Sequence, residues 1–153
     1  MILTEHRHAY IRYLGYNNRM SKKPMFPKLE GTKLEDFDPI DQVNELKITD
    51  LKEGDGEECP KWATITAHYT GALCKDGTIF QSSKDMGKPI TFSLEQVIEG
   101  WQDGVPGMKE GGIRRLHIPH SMAYGAQSPS KNIPKYSDLV FDIELVKVKK
   151  QQF

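Results

Sequence analysis

Alternation of apolar and polar positions is the strongest local signal in this chain. Ala63, Ile65, Ala67 and Tyr69 fall on one side of an extended segment, with Thr64, Thr66 and His68 on the other. A period of two with a polar outer row predicts a half-buried antiparallel strand. Leu139, Phe141, Ile143 and Leu145 repeat the pattern opposite Asp142 and Glu144. In all, strand signals fall at 46–51, 63–69, 78–81, 90–92, 113–118 and 139–148. Asp55-Gly56, Asp76-Gly77, Gly87 and Gly111-Gly112 supply the turn chemistry between them. Only 94–104 reads as helix, and it is short. The predicted fold is therefore α+β, a curved antiparallel sheet of five to six strands wrapped over one short α-helix, in a domain spanning 45–150.

Residues 1–44 form an N-terminal extension of different character. Pro24, Pro27 and Pro39 forbid long helix there. Yet Leu34, Phe37, Ile40 and Val43 recur every third residue, a stripe that a solvated linker does not need. The expectation is an arm lying on the domain, with a mobile tail as the alternative. Asp38-Pro39 followed by Asp41 predicts a single helical turn inside it. The first 19 residues hold Arg7, Arg12 and Arg19 against one acid, Glu5, and lack the apolar centre of a secretory signal. Two readings fit them: a mitochondrial presequence, or a leader outside the functional chain. Met20-Ser21-Lys22-Lys23, which looks like an ordinary cytosolic start, favours the second.

Composition narrows the classes. The 153 residues are 37% hydrophobic, enough for a real core, and carry no net charge. Neither nucleic acid nor an anionic membrane is suggested as a partner. No apolar run approaches the roughly 20 residues that span a bilayer. Cys59 and Cys74 match no metal or redox spacing and read as reduced thiols of a cytoplasmic protein. His6, His8, His68, His117 and His120 form no metal pattern, so no metal is expected. Ser82, Ser83 and Ser121 lack the elbow of a serine nucleophile. Lys109, Arg114 and Arg115 read as a solvated strand edge.

What remains is an apolar run with a tryptophan, Val97-Ile98-Glu99-Gly100-Trp101, and a loop with a tyrosine, Ala123-Tyr124-Gly125-Ala126. These suit a greasy cleft with a few polar donors. Joined by Tyr69-Thr70-Gly71, Gly77-Thr78-Ile79-Phe80, Pro106-Gly107-Met108 and the start of the last strand, they resemble the FKBP-type peptidyl-prolyl isomerases in order and spacing. The resemblance covers 46–148, about two-thirds of the chain.

That resemblance implies a cleft built by Tyr69, Phe80, Gln81, Ile98, Trp101, Tyr124 and Phe141, with Ile90, Phe92, Val97 and Ile133 completing the substrate walls. Trp101 would be the floor, Tyr124 would donate its hydroxyl, and the Ile98 N–H would meet a substrate carbonyl. The aromatic members serve equally well as plain core, and the two tyrosines as satisfied buried polar groups. The implied activity is isomerisation of X–Pro bonds without cofactor, assisting protein folding, by a monomer. Proline-containing polypeptides would be substrates and macrolides such as tacrolimus or rapamycin ligands. Three positions depart from the family pattern. Gln81 stands where an acid usually follows the cleft phenylalanine, Ile90 where an aromatic is frequent, and Trp62 near a turn that commonly holds glycine. Trp62 is either a strained turn or an exposed contact surface. Gln81 and Ile90 keep a second reading open, a non-catalytic module that binds proline-containing partners.

Overall fold

The computed structural model describes residues 28–149; the leader and the first part of the extension lie outside them. The strands run β1 (Lys47–Lys52), β2 (Thr64–Leu73), β3 (Ile79–Ser82), β4 (Ile90–Ser93), β5 (Ile113–Ile118) and β6 (Leu139–Lys149), and one helix, α1 (Glu99–Gly104), lies between β4 and β5. All pairings are antiparallel, in the order β1-β5-β6-β2-β3, with β4 also on β2. β2 thus divides its free edge. Thr64–Ala67 pairs with β4, and Thr70–Ala72 pairs with β3.

The alternation of the two long strands places their side chains as expected. Ala63, Ile65, Ala67 and Tyr69 are buried together with Leu139, Phe141, Ile143 and Leu145, in one core cluster. α1 covers this face by a close approach. A Cβ on Gly100 would stand 2.5 Å from Ile118 Cγ2, and one on Gly104 would stand 2.7 Å from Leu116 Cδ1. Only glycine lets the helix lie this near β5, and that depth puts Trp101 fully inside.

The helix is shorter than 94–104. Leu94 is wholly buried, and its N–H donates to Ala63 O at 2.9 Å instead of entering a helical ladder. Ile98, with ψ at 152°, is extended and begins the helix only as its cap. Gln102 Nε2 reaches back to Val97 O at 3.1 Å, which holds the turn in place.

The described part of the arm packs on the outer face of the sheet. Leu29, Leu34, Phe37, Ile40 and Val43 cover Ala72, Cys74, Ile79 and Val140, a second apolar cluster. The expected helical turn at 38–41 is absent. Ile40 N donates to Cys74 O at 2.7 Å and Val43 N to Asp138 Oδ2 at 2.8 Å, so the sheet side takes the donors that a helix would have used. The chain turns at Asp36, whose φ of 52° lies in the left-handed region, so the apolar repeat arises from a turned and otherwise irregular path, not from a helix. Near its start the arm also hydrogen-bonds to β3, through Gly31 N to Ile79 O and Ile79 N to Thr32 O, and so shields that edge.

Of the basic cluster, Lys109 is exposed as expected, but Arg114 and Arg115 are not a solvated edge. Arg115 is buried, grips Asp142 through Nε at 2.6 Å and Nη2 at 2.8 Å, and donates to the carbonyls of Asp36 and Glu35 in the arm. Arg114 pairs with Asp50 and donates to Gly104 O. Trp62 meets both halves of its alternative. Its φ of 66° lies in the left-handed region, a strain of about 1–2 kcal/mol for a residue with Cβ, and it is half exposed.

Candidate functional site

Five aromatic rings meet edge to face between β2, β3, β4, α1 and β6. Trp101 is the hub, with ring centroids 5.7 Å from Tyr69, 5.2 Å from Phe92 and 5.5 Å from Phe141. Phe80 extends the set, 5.7 Å from Phe141 and close to perpendicular to it. Such contacts favour one fixed ring geometry over a fluid core. Gly71 makes room for it, since a Cβ there would lie 2.5 Å from Phe80 Cζ and 2.7 Å from Phe141 Cε1.

Polar groups are few and specific. The Tyr69 hydroxyl donates to Gln81 Oε1 at 2.6 Å. Gln81 is 6% exposed, and its Nε2 has no partner among the described residues; neither has Trp101 Nε1. Buried donors without acceptors are uncommon in native proteins and call for a reason. Burial pushes the Tyr124 phenol up to about 12. It raises Tyr69 further still, with the nearby Tyr124 adding to the effect. Both hydroxyls therefore stay protonated at neutral pH, able to donate.

The loop carrying Tyr124 is wound on His120, whose carbonyl accepts from Ala123 N and Gly125 N at 3.0 and 2.9 Å. Val97, Ile90 and Ile133 are buried in the same cluster as the rings, while Ile98, Phe92 and Tyr124 pack against it partly exposed. Ile98 O accepts from Trp101 N and Gln102 N, whereas its own N–H donates no hydrogen bond among the described residues. No group of histidine, cysteine and acid side chains among the described residues is placed to hold a metal ion. None of their helices is long and apolar enough to cross a membrane. Ser83 is no nucleophile either. Its hydroxyl is fully buried, accepts from Tyr69 N at 2.9 Å and pairs with His68 Nδ1 at 2.9 Å.

Residues 56–146 match the family model of the FKBP-type peptidyl-prolyl cis-trans isomerases, more than half of the chain. The chain belongs to that family. Over 108 residues it is 49% identical to an FK506-binding protein of Neisseria meningitidis, covering 69% of this chain and 98% of that one. Over 113 residues it is 44% identical to the peptidyl-prolyl cis-trans isomerase FPR2 of Saccharomyces cerevisiae, covering 70% and 84%. Among solved structures, AtFKBP13 superposes with a TM-score of 0.62 at 39% identity, over 71% of this chain and 96% of that one. FkpA from Escherichia coli gives 0.63 at 31% identity, over 95% and 62%.

Within this FKBP domain the residues expected at the site lie in or against the main apolar core that holds the rings, with Gln81 on Tyr69. The roles of three contributors went unread. Gly71 stands in the motif but beyond the expected strand end at 69, whereas β2 continues to Leu73 and needs glycine there for the close approach of the rings. Gln102 and Asp138 carry no local signal, because each acts on backbone that the fold brings to it. Asp138 Oδ1 accepts from His120 N at 2.8 Å while Oδ2 accepts from the arm.

Proposed function

We propose that this FKBP domain isomerises X–Pro bonds in exposed or unfolded polypeptide segments, by taking the imide out of water into the aromatic cleft. The observation that carries this reading is the edge-to-face ring set around Trp101, bordered by the half-exposed Phe92, Ile98 and Tyr124 and by neutral polar groups. Rotation about the imide faces a barrier of about 18–20 kcal/mol because the planar form is resonance-stabilised, and uncatalysed exchange takes roughly tens to hundreds of seconds. The planar ground state is the more polar and the better hydrated. Removing its hydration, worth about 2–7 kcal/mol for an amide, favours the twisted state. At about 1.36 kcal/mol per tenfold, desolvation with shape supplies roughly 10²–10⁵ in rate.

In this mechanism Trp101 is the floor and the Ile98 N–H meets the carbonyl before the proline. The Tyr124 hydroxyl holds the turned peptide, and Phe80, Phe92 and Phe141 exclude water. No acid, base or covalent intermediate takes part. Support comes from the unengaged Ile98 donor and from the protonated Tyr124 phenol. A monomer acting in the cytoplasm belongs to the same reading; the free thiols of Cys59 and Cys74 suit a reducing compartment.

The deciding experiment is a protease-coupled isomerisation assay on a short Leu-Pro peptide, with tacrolimus or rapamycin as competitor. Turnover that saturating macrolide abolishes is the expected result. In a Trp62→Phe background the same titration should change the fluorescence of Trp101. Binding without turnover would leave a proline-peptide binding module.

A further inference from the structure

Asp138, just ahead of β6, is the point where the arm and the Tyr124 loop meet. Its two carboxylate oxygens face opposite ways. Oδ2 accepts from the Val43 N–H of the arm at 2.8 Å, and Oδ1 accepts from the His120 N–H at 2.8 Å. His120 in turn accepts from Ala123 N and Gly125 N, the residues on either side of Tyr124. The far side of the loop is closed by Tyr136 N donating to Gly125 O at 2.7 Å and by the His120 ring against Tyr136, centroids 5.4 Å apart. A run of hydrogen bonds therefore leads from the arm backbone to the backbone bracketing Tyr124.

The arm touches other borders of the cleft in the same way. Asp85, in the 3-10 turn directly after β3, accepts from Leu29 N at 2.8 Å and from Glu30 N at 3.0 Å. Glu30 Oε1 accepts from Asn132 Nδ2 at 3.1 Å, next to the buried Ile133. One stretch of chain, 28–44, thereby holds the segment after Phe80 and Gln81, the segment of Ile133 and the segment of Tyr124.

We propose that Asp138 is a positioning residue that fixes the Tyr124 loop to the docked arm, so that arm docking sets how well the cleft holds its ligand. Asp138 touches no ligand itself. It acts through His120, and a carboxylate suits the role because one group accepts from two backbone N–H donors at once. An asparagine in its place has a single carbonyl oxygen, so one of the two donors loses its acceptor.

The test uses the full chain and two variants that leave every cleft side chain intact. Val43→Pro removes the arm's donor and also changes a side chain packed on the sheet, and Asp138→Asn weakens the shared acceptor without that change. Val148→Ala, which truncates a buried side chain near the opposite end of β6, serves as a destabilised control. We expect both variants to raise KM for a proline peptide about three- to tenfold with kcat changed less than about twofold. The amide resonances of Ala123, Tyr124 and Gly125 should shift in both. Because both act through one carboxylate, the double variant should fall short of the product of the single effects. Parental KM and parental 123–125 resonances in a folded Val43→Pro protein would overturn the proposal. So would an equal rise in KM in Val148→Ala. The kinetic readout rests on the isomerase reading. If the parent does not turn over, that reading fails, while the amide shifts still decide the coupling.

Discussion

The Tyr69 hydroxyl donates to Gln81 Oε1 at 2.6 Å, and the buried amide nitrogen of Gln81 finds no acceptor among the described residues. The pair is neutral, and its amide nitrogen is a donor that a ligand could engage. A carboxylate there would make a charge-assisted bond, and hydrogen bonds to charged groups contribute about 1.5–3 kcal/mol. Gln81→Asp should tighten tacrolimus binding by roughly 1 kcal/mol, or about fivefold, and change peptide isomerisation less. Calorimetric titration beside the isomerase assay measures both. Equal changes, or none, would remove Gln81 from ligand choice.

Tyr124→Phe isolates the hydroxyl from the ring. The loop around it is held by backbone hydrogen bonds, so the variant should fold. Losing one hydrogen bond of about 1–1.5 kcal/mol should lower kcat/KM up to tenfold. Because burial lifts the phenol to about 12, activity should show no titration of this group below pH 10. Failure of the variant to fold would give the hydroxyl a structural role instead.

Removing the arm has two expected readouts. A chain starting at Glu45 exposes the apolar cluster beneath Leu34, Phe37, Ile40 and Val43. The arm's half-buried side chains favour the docked state while ordering its backbone opposes it, so the melting temperature should fall. The Cys74 thiol, which burial and then Asp138 push up to about 12, should become reactive towards a thiol reagent at pH 8. Inert Cys74 and an unchanged melting temperature would show that the arm contributes nothing.

The chain's pattern made the six strands and the inward face of the two long ones legible, because period two survives any tertiary context. The repeat at Leu34, Phe37, Ile40 and Val43 was legible as a covered face, yet its conformation was not. The deciding acceptors, Cys74 O and Asp138 Oδ2, lie far along the chain. The same reason hid the start of α1, which depends on Leu94 pairing with Ala63. Arg115 read as a surface residue because nothing local announces that Glu35 and Asp36 will offer it their carbonyls.

His117 predicts an acid-sensitive contribution to stability. Burial, then the positive charges of Lys47 and Arg115, lower its pKa below the ordinary 6.5, with Asp142 opposing. Between the folded value and 6.5 the unfolded chain holds a proton that the folded chain does not, so stability falls as pH drops through this window. Below the folded value the loss stops growing. His117→Gln should therefore lose less melting temperature than the parent between pH 7.5 and 5. Parallel declines in the two proteins would place the sensitivity elsewhere.

Gly31 on Ile79, Ile40 on Cys74 and Val43 on Asp138 are fixed points of the arm. Between the first two the chain turns at Asp36, whose φ of 52° lies in the left-handed region. Residues added at that turn would only lengthen a loop, at a small entropic cost. One added between Ile40 and Val43 has no such slack, and would make the arm give up one of its two anchors on the sheet.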